Sequence, residues 1–271
     1  AEEWLPDIRE LRGLGTRLFT RGGSGGVALT PSGRAALAEA RRLLFYSTQL
    51  LDVAGAAAAG TAGQLRIGFV GSTAVGIMQR LIRRYRAEYP GVDLVLKEAT
   101  SVRIIQRIEG GELDVGLIRT PLLASTRVSL TPLLTEPFIA ALPLGHPLAR
   151  QPELRLEQLA TEDFVLYTRA EAAGLQAMAL LACQMAGFLP QVAQEATQVQ
   201  TVLSLVETGL GVALVPAVMQ HHPNPKIAYR PIVDLAPSAA LGLALACQEE
   251  LASPATRNFR RLALSLVAEG I

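Results

Sequence analysis

Leu65 to Ile118 reads LRIGFVGSTAVGIMQRLIRRYRAEYPGVDLVLKEATSVRIIQRIEGGELDVGLI, and the spacing of its apolar residues changes four times. Leu65 to Val70 is a short apolar run. Ile77, Leu81, Ile82 and Tyr85 then recur at helical spacing, Val92 to Leu96 is strand-like again, Ile104 to Ile108 mark a second helix, and Leu113 to Ile118 a third strand. Strands that alternate with amphipathic helices predict an α/β fold with a parallel sheet covered on its faces. Arg80, Arg83, Arg84 and Arg86 fall on the opposite side of the first helix and are read as solvated surface.

A second unit of the same kind follows: strand Phe164 to Tyr167, helix Leu175 to Met185, strand Gln191 to Glu195, helix Val199 to Glu207 and strand Val212 to Val215. Pro132 to Pro143 and Ile227 to Val233 are extended candidates, and strand Leu241 to Ala246 with helix Pro254 to Ala268 closes the chain. If that last pair completes the first unit, the chain passes between units twice. Two lobes then face each other across a cleft.

Upstream, Ile8 to Leu14 reads as the end of a helix stopped by Gly15. A short Arg-flanked strand, the turn Gly22 to Gly26 and Val27 to Leu29 then form a glycine-tipped hairpin, the shape of a wing. Thr30-Pro31 supplies an N-cap with proline at the first helical position, and the helical pattern runs without a breaker to about Gly55. Along it Leu37, Leu44 and Leu51 recur every seven residues, flanked by Leu43 and Leu50. The seam is read as a dimerisation surface, because nothing local covers roughly 25 residues of apolar stripe; a helix packed on its own domain is the alternative. Ala56 to Gly63, small and breaker-rich, is read as a hinge.

Composition narrows the partners. Of 271 residues half are hydrophobic and 18% charged, which excludes a disordered or fibrous chain. The net charge of +1 by itself predicts no nucleic-acid or membrane partner. Its distribution says more: between Arg9 and Arg42 seven arginines face only Glu10 and Glu39, a local excess of about +5. Cys183 and Cys247 lie far apart in apolar runs, with no metal-ligand spacing, which suits a reducing cytosol. A redox sensor resting on these two cysteines remains a lesser option. The longest charge-free apolar stretch, near Ala239 to Cys247, falls well short of the ~18 residues a bilayer requires. The Ala-Glu-Glu-Trp start has no basic or apolar leader pattern, so a cytoplasmic protein with no membrane partner is predicted.

Catalytic spacing is absent. His146, His221 and His222 have no acid near enough in sequence for a relay and no cysteine for zinc. Gly71-Ser72-Thr73 lacks the frame of a nucleophile elbow, and there is no phosphate-loop lysine or dinucleotide fingerprint. No metal, no cofactor and no enzyme are expected. What does stand out is hydroxyls at strand-to-helix junctions: Ser72 and Thr73 after the first strand, Thr100 and Ser101 after the second. Helix N-termini carry unpaired N–H donors and the positive end of the dipole, and ligands of open α/β sheets lodge beyond the carboxyl ends of the strands. A small-molecule carboxylate in the cleft is the expectation; plain N-capping explains each hydroxyl taken alone. Tyr167, Thr168 and Arg169 would face them from the other lobe, with Arg169 pairing a second carboxylate or lying on the surface.

With these pieces placed, nearly the whole chain resembles a LysR-type transcriptional regulator. The similarity is carried by Ile8 to Leu11, Leu14 to Arg21 and Val27 to Gly33, which resemble the exit of the family's recognition helix, its wing and the start of its linker helix. Leu65 to Gly68, His146 to Ala149 and Gly209 to Pro216 also match. Ile67 to Ala74 and Phe164 to Tyr167 look like the subgroup that senses benzoate, muconate and related acids, although the loop Thr168 to Ala172 lacks that subgroup's proline- and serine-rich form.

The resemblance implies a two-lobed, periplasmic-binding-protein-like effector domain behind a winged helix-turn-helix and a long linker helix. It divides the chain into a partial DNA-binding head (1–30), a linker (31–60), lobe I (61–135 and 237–271) and lobe II (136–236). It also implies effector contacts at Ser72, at Ser101 and in the loop after Tyr167, and a homodimer that pairs into a homotetramer on double-stranded DNA. Arg9, Arg17 and Arg21 are the expected DNA contacts, mostly to phosphate. Only 29 residues precede Thr30, fewer than the family's head contains, so the front of the head is read as missing from this sequence. A cytoplasmic small-molecule binding protein without DNA binding is the rival from another class.

Overall fold

A computed structural model describes residues 16–21, 27–59, 63–74, 76–221 and 224–270. The chain separates between Leu51 and Asp52 into two compact units.

In the first unit, strands β1 (Phe19–Arg21) and β2 (Val27–Leu29) pair antiparallel, with Phe19 opposite Leu29. Thr30 then starts helix α1 (Pro31–Ala59): its Oγ1 accepts from the Gly33 N–H at 2.9 Å and donates to the Arg17 carbonyl at 2.7 Å. The helix outlasts its expected end near Gly55. Ala56 to Ala59, assigned to a hinge from composition, are its last turn, since alanine runs favour helix over any break. The leucine seam is exposed, Leu44 at 68% and Leu51 at 71%. The helix expected over Ile8 to Leu14, the turn Gly22 to Gly26, and Arg9 lie outside the described residues.

The second unit is built on three sheets gathered in two lobes. One lobe holds a five-stranded sheet in the order β4-β3-β5-β12-β6, from β3 (Gly63–Phe69), β4 (Val92–Glu98), β5 (Val115–Thr120), β6 (Ser129–Glu136) and β12 (Leu241–Cys247). Helices α2 (Ile77–Glu88) and α6 (Pro254–Ala268) cover one face around Leu65, Ile67, Tyr85 and Phe259, and α3 (Ser101–Glu109) covers the other around Ile104, Ile108 and Ile118. The sheet is mixed where a parallel one was expected. β3, β4 and β5 are parallel, but β12 runs antiparallel to both β5 and β6. Hydrophobic period reports burial and not direction, so the reversal of a strand that returns from the other lobe has no trace in it.

In the other lobe β7 (Phe138–Pro143) is the centre of an antiparallel trio with β10 (Ala213–Pro216) and β11 (Ile227–Pro231). A parallel pair, β8 (Asp163–Tyr167) and β9 (Gln191–Ala196), joins this trio through the bridge Phe164–Val212. Helices α4 (Arg169–Met185) and α5 (Val199–Glu207) pack on the resulting core. α4 begins six residues before its expected start at Leu175, because Thr168 caps it by accepting from the Ala170 N–H at 3.2 Å. The chain crosses between lobes at Pro137 and again between β11 and β12. Both crossings border a cleft.

Each cysteine lies in a different core, Cys183 in the second lobe and Cys247 in the first, and both are free. Burial raises the pKa of both thiols, which disfavours the thiolate that redox chemistry requires. Among the described residues no helix is long and apolar enough to cross a membrane.

Candidate functional site

Between the lobes lies a cavity of about 260 Å³. Its first wall is made by the carboxyl ends of β3 and β5 and the start of α3, contributing Val70 to Ser72, Thr100 to Val102, Arg119 and Pro121 to Ala124; its second wall is the first turns of α4, Ala170 to Leu175, with Thr197 to Val199 and Pro216. This is where open α/β sheets receive ligands. Most of these side chains are apolar, and the polar ones are concentrated around one cation.

That cation is Arg119, the last charged residue of an otherwise apolar strand and only 4% exposed. Its Nη1 donates to Glu136 Oε1 at 2.5 Å, and Glu136 Oε2 accepts the Val218 N–H from the second lobe at 2.7 Å. A buried guanidinium is tolerable because a part-buried carboxylate lies beside it. The rest of Arg119 reaches both serines: Nε donates to Ser72 Oγ at 2.9 Å, and the backbone N–H donates to Ser101 Oγ at 3.0 Å. A hydroxyl has one proton to give and lone pairs to receive. With Arg119 on the acceptor side of each, both serines keep their protons for a partner in the cavity they line.

Of the residues expected from sequence, the structure thus brings Ser72, Thr100 and Ser101 together on the cavity wall. It does not do so for the other four. Thr73 is buried in a 3-10 turn (Gly71–Thr73), where its hydroxyl donates to the Val70 carbonyl at 2.7 Å, and α2 begins only at Ile77, so neither Ser72 nor Thr73 caps it. Tyr167 ends β8 pointing into its own lobe's core; its hydroxyl has no hydrogen-bond partner among the described residues, and burial raises its pKa. Thr168 is occupied as the cap of α4, and Arg169 is exposed on the helix's first turn. None of these last three lines the cavity, whose second wall begins one residue further on, at Ala170, although Tyr167 lies within electrostatic reach of Arg119.

Thr100 caps α3, accepting from the Arg103 N–H at 3.4 Å and donating to Glu171 Oε2 at 3.0 Å. Glu171 comes from α4, across the cleft, and also takes the Arg103 guanidinium at 2.7 Å. Arg103 first, then Thr100, hold its carboxyl below the usual carboxylate range. Two glycines let the walls approach. A Cβ on Gly174 of α4 would stand 1.9 Å from the Pro121 carbonyl oxygen, and one on Gly71 would stand 2.7 Å from Gln200 of α5.

Arg119, Glu136, Glu171 and Gln198 were not picked out by sequence. A lone arginine in the apolar string Val115 to Ile118 and onward was a usable signal, because arginine is rarely buried without a partner. Glu136 and Glu171 had none, being brought to the site by the lobe crossing and by helix packing. His146 has an acid after all: its Nε2 lies 3.2 Å from Glu162 Oε2, while Nδ1 accepts from the Leu148 N–H. The pair staples a turn that does not line the cavity. Among the described residues no three His, Cys, Asp or Glu side chains group as metal ligands.

Fold and site together define a two-lobed protein with a small-molecule-sized cavity at its strand ends. The family described as LysR substrate binding domain matches residues 58–268. Curated relatives include the HTH-type transcriptional regulator AlsR of Bacillus subtilis, 32% identical over 75% of this chain and 67% of the relative, and YnfL of Escherichia coli, described as an uncharacterized HTH-type transcriptional regulator, 32% identical over 91% and 82%. Among solved structures, the BenM effector binding domain with its effector benzoate superposes with a TM-score of 0.67 at 25% identity, covering 77% of this chain and 94% of that one. Full-length CbnR complexed with its target DNA gives a TM-score of 0.73 at 21% identity over 94% of this chain and 86% of that one, a likeness of fold. The chain belongs to the LysR family of transcriptional regulators, ligand-responsive DNA-binding proteins and not enzymes.

Proposed function

We propose that this regulator senses a small organic acid, aromatic or dicarboxylic, held in the interlobe cleft by Ser72, Thr100 and Ser101. One observation carries the reading. Arg119 engages both serine hydroxyls as acceptors, so their protons and the free N–H groups at the start of α3 converge as donors on one end of an otherwise apolar cavity. A carboxylate on an apolar body suits such a cavity, and Arg119, its charge balanced by Glu136, serves to hold both serines with their protons toward the ligand. The acid effector of BenM, benzoate, is of this chemical class.

In this reading lobe I comprises 61–135 and 237–271, lobe II 136–236, the linker 31–60 and the DNA-binding head the residues before it. The acid biases the angle between lobes only by its different affinity for different angles. Linker helices paired through Leu37, Leu44 and Leu51 pass that bias to paired heads, where Arg9, Arg17 and Arg21 hold DNA phosphates, in a homodimer or a tetramer of two such dimers in the cytoplasm. Half-site spacing on the DNA is then the output.

A thermal-shift screen of benzoate, cis,cis-muconate and shikimate tests the ligand. A binder at a hundredfold excess over its Kd adds ~2.7 kcal/mol of stability. The shift is expected to shrink sharply in Ser72→Ala and Ser101→Ala. An undiminished shift in both variants refutes the placement.

A further inference from the structure

A hydrogen-bonded ion pair spans the cleft. Glu171, in the first turn of α4, places one carboxylate oxygen 3.0 Å from the Thr100 hydroxyl and receives the Arg103 guanidinium on both oxygens, at 2.7 to 3.2 Å. Both partners belong to the opening turn of α3, on the opposite wall. Thr100 and Glu171 each line the cavity. Two features of α4 hold the carboxylate in this position. Its backbone leaves helical geometry at Ala172 (φ −135°, ψ 38°), directly after Glu171, which detaches the first turn from the helix axis. And Gly174 lies against the Pro121 carbonyl, which pins the helix start to the opposite wall.

A carboxylate therefore already sits beside the cavity, on a hydroxyl and a guanidinium that an acid ligand would seek. We infer that Glu171 is a resident competitor: it occupies Thr100 and Arg103 in place of an effector's carboxylate, and its displacement links occupancy of the cleft to release of the contact between lobes. This rests on the acid reading above and adds to it a residue that sets affinity and couples it to lobe movement. The competition is also selective. An acid ligand meets Glu171 as a like charge and must take its donors, whereas a neutral ligand of the same shape has no quarrel with it. Because the pair is largely solvated, it lowers acid affinity without abolishing it.

The test is calorimetric titration of the full chain with benzoate, and with benzamide as the uncharged counterpart, in wild type, Glu171→Gln and Glu171→Ala. Both variants are expected to bind benzoate about fivefold tighter than wild type, the upper range for an exposed ion pair, with benzamide binding unchanged. In protein without ligand, amide hydrogen exchange in the first turn of α3 is expected to quicken in both variants, because their lobe contact is lost. Equal benzoate affinity in all three forms, with binding still weakened by Ser101→Ala, overturns the competitor and leaves the acid reading standing. Weaker benzoate binding in Glu171→Gln overturns it too, since Glu171 would then help hold the ligand. No benzoate binding in any form, the variants included, overturns both.

Discussion

Asp114 shows how one buried carboxylate fastens an edge of the fold. It accepts the Arg66 backbone N–H at 2.7 Å and the Arg66 guanidinium at 3.1 and 3.2 Å, so that the turn before β5 is tied to β3 by charge as well as by backbone. The side chain of Asp114 is nearly inaccessible whereas that of Arg66 retains some water contact. Removing the acid leaves the arginine able to rehydrate, so Asp114→Ala should cost about 2–3 kcal/mol, at or below the low end for a broken buried pair, as read from urea denaturation. A cost within a few tenths of a kcal/mol would mean the pair contributes only registry. Arg119 behaves oppositely: here the cation is the buried partner and its carboxylate, Glu136, is part-buried, and only the arginine end of the pair lines the cavity. At this scale the sequence was informative about hydroxyls, which follow strands at fixed places, and silent about acids, whose partners are 17 to 82 residues away.

Helix α4 carries the most consequential packing. Its Gly174 touches the Pro121 carbonyl in a space where a Cβ would stand 1.9 Å from oxygen, and backbone cannot yield as a flexible side chain does. Gly174→Ala is expected to force the start of α4 away from the first lobe, lowering stability by about 1–3 kcal/mol and widening the cleft, which small-angle scattering and thermal melting would record together. Unchanged scattering and melting would show that the two walls do not bear on each other there. The helices themselves were largely readable: Val199–Glu207 and Pro254–Ala268 coincide with their apolar spacing. The start of α4 was not, because Ala170 to Gly174 carries no apolar stripe and its helicity depends on the Thr168 cap and on contact with Pro121.

Over the whole molecule, the exposed leucines of α1 contrast with the closed cores of the two lobes. Leu43, Leu44, Leu50 and Leu51 are each about 70% exposed on one helix, more apolar surface than a lone subunit keeps without a partner. In our reading a second copy covers them. The double substitution Leu44→Glu and Leu51→Glu is then expected to halve the mass measured by light scattering while leaving the melting of the lobes intact; an unaltered mass would place the subunit contact elsewhere. The α/β class and the leucine seam were legible in the sequence alone, because burial imposes a period of two or about 3.6 residues wherever an element is laid down, whereas two lobes joined by two crossings followed only if the last strand and helix completed the first unit. Strand direction, the reversal of β12, and the meeting of Arg119, Glu136, Ser72, Ser101 and Glu171 were decided only by tertiary structure. A buried ion pair or a polarised hydroxyl depends on which distant segments come within 3 Å, and local periodicity carries no record of distance through space.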